Sequence, residues 1–233
     1  MPGSFGYAIW LIGTLLEAAV VVCALAKHSF RRYFCLNLYM SASVLVSILR
    51  FVVLEKYTFL STEYAYVYQY SDVLLTIFLY FALISLYSQV FDEMKAEKIV
   101  RLTAVLLLLG TAVFSYSVVQ QSQHRMLSHF FFELSQNLYF VGLVLTYVLW
   151  GAILKLRETR VRLIQLVLSL GMYFSVSAAS YALRNLSSPS FQSVWAYLPP
   201  IFSCLLPLAW AYAFWRLPEE ARLAPSRLAV VPR

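Results

Sequence analysis

Glu17, Arg50, Asp72, Glu133 and Arg184 interrupt or border long apolar stretches of this chain, and they are where its chemistry would lie. A charge at the centre of a bilayer costs about 2.5–3.5 kcal/mol on insertion scales, so such side chains turn inward and find partners. Arg50 and Arg184 fall at the ends of apolar stretches, and Asp72 and Glu133 fall just past the starts of others. Two cations and two anions at similar depth on four helices are placed to pair. At helical spacing, Gln69, Asp72, Thr76, Tyr80 and Tyr87 share one face, while His129, Glu133 and Gln136 share another. The expectation is an outward-opening polar cavity. A small polar or anionic ligand would sit between Arg50 and Arg184, with Asp72, Glu133 and His129 setting its protonation or orientation and Gln69 and Gln136 lining the site. Glu17 lies near the middle of its stretch, on a face with Trp10, Gly13 and Thr14, and is the expected proton-coupling carboxylate. A plainer reading stands beside this one. Interhelical hydrogen bonds worth about 0.6 kcal/mol each can simply hold a bundle together, and the two arginines can snorkel to headgroups.

No sequence pattern points to an enzyme. The chain has no His-Glu-x-x-His, no Cys-His grouping and no Gly-rich phosphate loop. His129 and Glu133 at four-residue spacing supply only two ligands on one helix, which does not make a metal centre. The reading therefore expects no catalytic residue, no metal and no cofactor. Cys23, Cys35 and Cys204 read as free, buried thiols.

The elements that must position these residues are apolar helices. Of the 233 residues, 61% are hydrophobic and 12% charged, and mean hydropathy is +0.73. Soluble domains run at about 45–50% apolar and about 25% charged. Stretches at about 6–26, 33–54, 66–90, 99–119, 129–153, 161–183 and 194–215 are each near the roughly 20 residues that a bilayer crossing needs. The fold expected is all-α: a seven-transmembrane-helix bundle over residues 1–217, followed by a short basic tail at 218–233. Within that length no soluble output domain finds room, and 17 Tyr and 5 Trp suit the aromatic belts at the headgroups.

Charge orients the bundle. Of 18 Lys and Arg, 14 fall on alternate connectors and the tail, including Lys27, Arg31 and Arg32, then Lys95, Lys98 and Arg101, then Lys155, Arg157, Arg160 and Arg162. The opposite connectors carry Arg50, Lys56, Arg125 and Arg184. By the positive-inside rule the N-terminus lies outside and the C-terminus in the cytoplasm. The net charge of +7 thus belongs to membrane insertion, and no nucleic-acid partner is expected. Residues 24–26, Ala-Leu-Ala, imitate a signal-peptidase site, but the first ten residues hold no Lys or Arg and Glu17 breaks the apolar run. The first helix is therefore retained. The compact loops favour a bacterial inner membrane.

Helices two and six share a pattern. Tyr39-x-Ser41-x-Ser43 runs to Leu49-Arg50, and Tyr173-x-Ser175-x-Ser177 runs to Leu183-Arg184, with equal spans from Tyr to Arg. Val67, Tyr70 and Ala82 in helix three match Val194, Tyr197 and Ala209 in helix seven. Helix four is the plainest. The pattern suggests three helices, a linker helix and three more in the same orientation, as in parallel-repeat transporters. In outline this is similar to the three-plus-one-plus-three sugar transporters and their PQ-loop relatives, although the chain contains no Pro-Gln dipeptide. A retinal protein would need a Lys in helix seven and a G-protein-coupled receptor an Asp/Glu-Arg-Tyr after helix three; neither is present.

Function reads first as small-solute transport. The alternatives are a ligand-binding sensor module signalling through a separate partner, or a non-catalytic accessory subunit. The expected partners are the lipid bilayer, a small polar or anionic ligand, and a membrane protein or a second copy of the chain. Pro199-Pro200 and Pro207 are expected to bend or break helix seven.

Overall fold

The computed structural model describes residues 4–58, 61–92, 97–120, 126–186 and 201–222, with side chains at 6–58, 61–92, 102–120, 130–182 and 201–222. These residues form α1 (Ser4–Ala26), α2 (Phe34–Lys56), α3 (Thr62–Val90), α4 (Glu97–Gln120), α5 (Met126–Lys155), α6 (Val161–Leu186) and α7 (Leu205–Arg216). The first six are long and apolar enough to cross a membrane; α7, with the turn before it, is a shorter apolar helix. Among the described residues the regular structure is all helical, and the chain is a helical membrane protein. Helices are the form such a sequence must take, because lipid offers no partner to an open backbone N–H or C=O.

The helix ends follow local chemistry. Ser61 caps α3 by accepting from the Tyr64 N–H at 3.1 Å, and Glu63 lies in the first turn, which starts the helix before the apolar stretch does. α1 and α5 both close with a left-handed residue, His28 and Arg157, each at φ 51°. At the first, the His28 N–H bonds to the Leu25 carbonyl and Ser29 to Ala24. At the second, Arg157 bonds to Leu154 and Glu158 to Ile153. Both are the paired 5→2 and 6→1 bonds of a Schellman ending. Pro207 has no N–H to give the Ser203 carbonyl. The helical turn at 201–203 is accordingly separated from α7 at Cys204; Pro199-Pro200 lies outside the described residues.

Six helices form a closed ring in the order α1, α2, α3, α5, α6, α7 and back to α1, with a lighter contact between α3 and α6 across it. α4 lies outside the ring against α5 and α3. Tyr80 Oη donates to the Ala104 carbonyl at 2.9 Å and Asn137 Nδ2 to Ser115 Oγ at 2.9 Å, fastening α4 to α3 and α5. The core toward the α1 C-terminus is apolar, filled by Leu36, Met40, Leu83, Leu86, Leu166 and Trp210.

Two glycines test how closely the helices approach. A Cβ on Gly142 of α5 would stand 2.3–2.7 Å from the ring of Phe174, whereas one on Gly13 of α1 would meet Cys204 Sγ at an ordinary 3.5 Å. Phe174 is buried and has nowhere to retreat. Gly142→Ala is expected to destabilise by about 1–3 kcal/mol through overpacking, while Gly13→Ala should be close to neutral. Thermal unfolding of the purified variants would measure both.

Candidate functional site

The interior turns polar in the half of the ring away from the α1 C-terminus. Glu17 Oε1 on α1 accepts from Ser43 Oγ on α2 at 2.6 Å, and Glu17 Oε2 is buried without a hydrogen-bond partner. On α2, Arg50 Nε donates to Ser71 Oγ at 2.8 Å and Nη2 to the Tyr68 carbonyl at 3.2 Å. Its guanidinium carbon lies 4.2 Å from the centre of the Tyr68 ring. The cation is thereby tied to α3. It lies near enough for its field to reach both Glu17 and Asp72, but it forms no ion pair with either.

Asp72 occupies the middle of this region. Its carboxylate faces the hydroxyls of Ser135 on α5 and Tyr181 on α6, and among the described residues no cation lies within ion-pair distance of it. Ser135 is 1% exposed and its hydroxyl has no completed hydrogen bond. Around the carboxylate stand tyrosines from three helices. The hydroxyls of Tyr39 (α2), Tyr139 (α5) and Ser177 (α6) gather about that of Tyr173 (α6). Tyr139 packs its ring 6.3 Å from Tyr173 and 5.5 Å from Tyr181. The serine-and-tyrosine stripe follows from spacing: residues 39 and 43 on α2, and 173, 177 and 181 on α6, recur at i, i+4 and so share one face.

A second polar group lies at the other end of the bundle. Arg162, at the start of α6, is 5% exposed. Its Nε and Nη2 both donate to the Leu217 carbonyl just past α7, and Nη1 donates to Ser29 Oγ in the α1–α2 loop at 2.9 Å. Nη1 also lies 3.5 Å from Glu219, which pairs in turn with Arg32. Arg160 Nη2 donates to the Gln89 carbonyl at the end of α3 at 2.8 Å and pairs with Glu158. The Val161 N–H reaches the Ala221 carbonyl at 3.1 Å. Four helix ends are stitched together here.

Within that group, the guanidinium and backbone N–H of Arg160 bond to the Glu158 carboxylate and hold its pKa below the usual carboxylate value. A lowered folded-state pKa contributes stability that is present above the ordinary value of about 4.5 and is lost as pH falls through the lower folded value. Glu158→Gln should lower the melting temperature at neutral pH and flatten this part of the acid-side decline. Melting curves from pH 7 down to pH 3 would show it.

Of the residues singled out from sequence, Glu17, Arg50 and Asp72 are brought within electrostatic reach of one another. Gln69 and Glu133 are half-buried on α3 and α5, and Gln136 is half-buried with Oε1 enclosed and unpartnered. The side chains of His129 and Arg184 lie outside the described residues. Sequence reasoning did not single out Ser135 or Tyr181, or Tyr139. The i, i+4 relation of Ser135 and Tyr139 and that of Ser177 and Tyr181 were available signals, but serines and tyrosines are common in membrane helices. Arg162 was counted only as an orientation charge.

Comparison with protein families, with characterised proteins and with solved structures finds no match to this chain.

Proposed function

We propose that the protein moves a small polar solute across a bacterial inner membrane by alternating access, with its N-terminus outside and its C-terminus cytoplasmic. The observation carrying this reading is the placement of Tyr39 and Tyr173, which occupy matching positions in α2 and α6 and bring their hydroxyls together near Asp72. The order of helices around the ring supports it. Exchanging α1, α2 and α3 for α5, α6 and α7 turns every neighbour pair of the ring into another neighbour pair, as a parallel repeat about an axis along the membrane normal requires.

Depth supports it as well. The polar residues occupy the half that the charge pattern assigns to the outside, while apolar packing and the Arg162 group close the other half. Access from within then requires the two three-helix units to part at the Arg162 group. Glu17, joined to Ser43 across the α1–α2 contact, is the coupling carboxylate: its protonation converts an acceptor of the Ser43 bond into a neutral group and removes the pull of Arg50.

Flux in proteoliposomes under an imposed pH gradient tests the reading. Wild-type protein should carry its solute, while Glu17→Gln and Asp72→Asn, both folded, should carry none. Unchanged flux in both variants would overturn the mechanism. Ligand binding without flux would favour the sensor alternative.

A further inference from the structure

The Asp72 carboxylate has three features that together specify a ligand. It is a potential anion without an ion-pair partner among the described residues. The nearby cation, Arg50, turns Nε to Ser71 and Nη2 to the Tyr68 carbonyl and lays its face on the Tyr68 ring, which directs it toward the start of α3 and not onto the carboxylate. The shell about the carboxylate consists of electron-rich rings and hydroxyl oxygens from α2, α5 and α6, all of which can accept from a cation or turn a ring face toward it. Ser135 adds the independent sign of an incomplete shell: its hydroxyl, 1% exposed, faces Asp72 and has no completed hydrogen bond. A buried hydroxyl left open in this way forgoes a hydrogen bond whose absence is ordinarily costly.

We propose that Asp72, Ser135, Tyr181 and the neighbouring Tyr139 and Tyr173 form a binding site for the protonated amino group of a small primary amine. An anion would face the Asp72 charge. A quaternary ammonium would use the rings but waste the oxygen acceptors. A primary ammonium has three N–H donors, which match Asp72 Oδ, Ser135 Oγ and a tyrosine hydroxyl, and its charge suits the ring faces. The proposal rests on reading the polar core as the solute site and names the solute's class.

The test uses purified full-length protein in detergent at constant ionic strength, with ethylammonium chloride as the probe. Tetramethylammonium chloride, sodium chloride and sodium acetate serve as comparisons, and melting temperature and titration calorimetry as readouts. Ethylammonium at about 100 times its dissociation constant should raise the melting temperature by on the order of 5 °C and exceed every comparison salt. Asp72→Asn should weaken binding by about tenfold or more, since charge-assisted hydrogen bonds are roughly twice as strong as neutral ones. Ser135→Ala removes a hydroxyl with no completed hydrogen bond, so it should melt with the wild type and still bind ethylammonium several-fold more weakly.

Equal stabilisation by sodium would overturn the assignment in favour of an inorganic cation. A larger effect of acetate or tetramethylammonium, no shift with any salt, or ethylammonium binding unchanged in Ser135→Ala and Asp72→Asn would each overturn it too. Liposome flux separates this proposal from the one beneath it. Amine binding without amine flux leaves the site standing and removes transport; Asp72-dependent flux of another solute by a protein that ignores ethylammonium does the reverse.

Discussion

Arg162→Ala is expected to destabilise the protein by about 3–5 kcal/mol, the range for breaking a buried charged network by removing one partner. The side chain is 5% exposed and three of its nitrogens are engaged. Truncation strands the Leu217 carbonyl, takes from Ser29 Oγ the donor it accepts from, and removes one of the two cations near Glu219 among the described residues. The loss also loosens elements far apart in sequence, since this guanidinium ties the α1–α2 loop, α6 and the segment after α7 together. Arg162→Lys keeps the charge but cannot span Leu217 and Ser29 with one planar fork, so it should recover only part of the loss. Thermal unfolding in detergent measures the series. If Arg162→Ala melted with the wild type, the group would be an ornament of the surface and could not serve as the inner closure.

Trp210→Ala should cost a similar amount, about 3–5 kcal/mol for emptying a buried aromatic site. In lipid the helices gain little from leaving water, so close packing carries more of their association. Trp210 is fully buried, donates Nε1 to Ser169 Oγ at 2.9 Å and meets Tyr39 edge-on with ring centres 6.2 Å apart. Trp210→Phe keeps most of the volume but strips Ser169 of its donor, and should cost about 1–3 kcal/mol. Because Tyr39 leans on this ring, the transport proposed above also expects both variants to lower flux at temperatures where they remain folded. A stable Trp210→Ala would mean that neighbouring helices can close over the gap.

Apolar length made the helical membrane class legible, since few other structures accept stretches such as 66–90. The α3 start was less legible. Ser61 and Glu63 extend the helix beyond its apolar part, and a cap is a local event that hydropathy does not register. Charged residues inside apolar runs drew attention to Glu17, Arg50 and Asp72, which lie within electrostatic reach of one another, because burying such groups without a reason is costly. What they could not tell was partnership. Arg50 at the end of α2 lays its guanidinium across Tyr68 of the next helix, an arrangement decided by side-chain packing between helices, while the Arg184 side chain expected opposite it lies outside the described residues. Ser135 and Tyr181 carry no charge and so gave no warning. Arg162 gave no warning either: positive residues beside a helix start are so common in such chains that a buried one looks like the rest.

The position of α4 outside the ring has a consequence for how the chain can be divided. Three crossings are an odd number, so two three-helix units can point the same way only if the chain makes one further crossing between them. In the proposed repeat α4 makes it, and among the described residues it contributes none of those gathered around Asp72 or Arg162. Under the proposed repeat its role is that of a tether, which raises the effective concentration of one unit for the other. A pair of separately expressed fragments, cut between α3 and α4, should therefore reassemble in the same membrane. Fragment complementation would then report directly on how strongly the two units recognise each other.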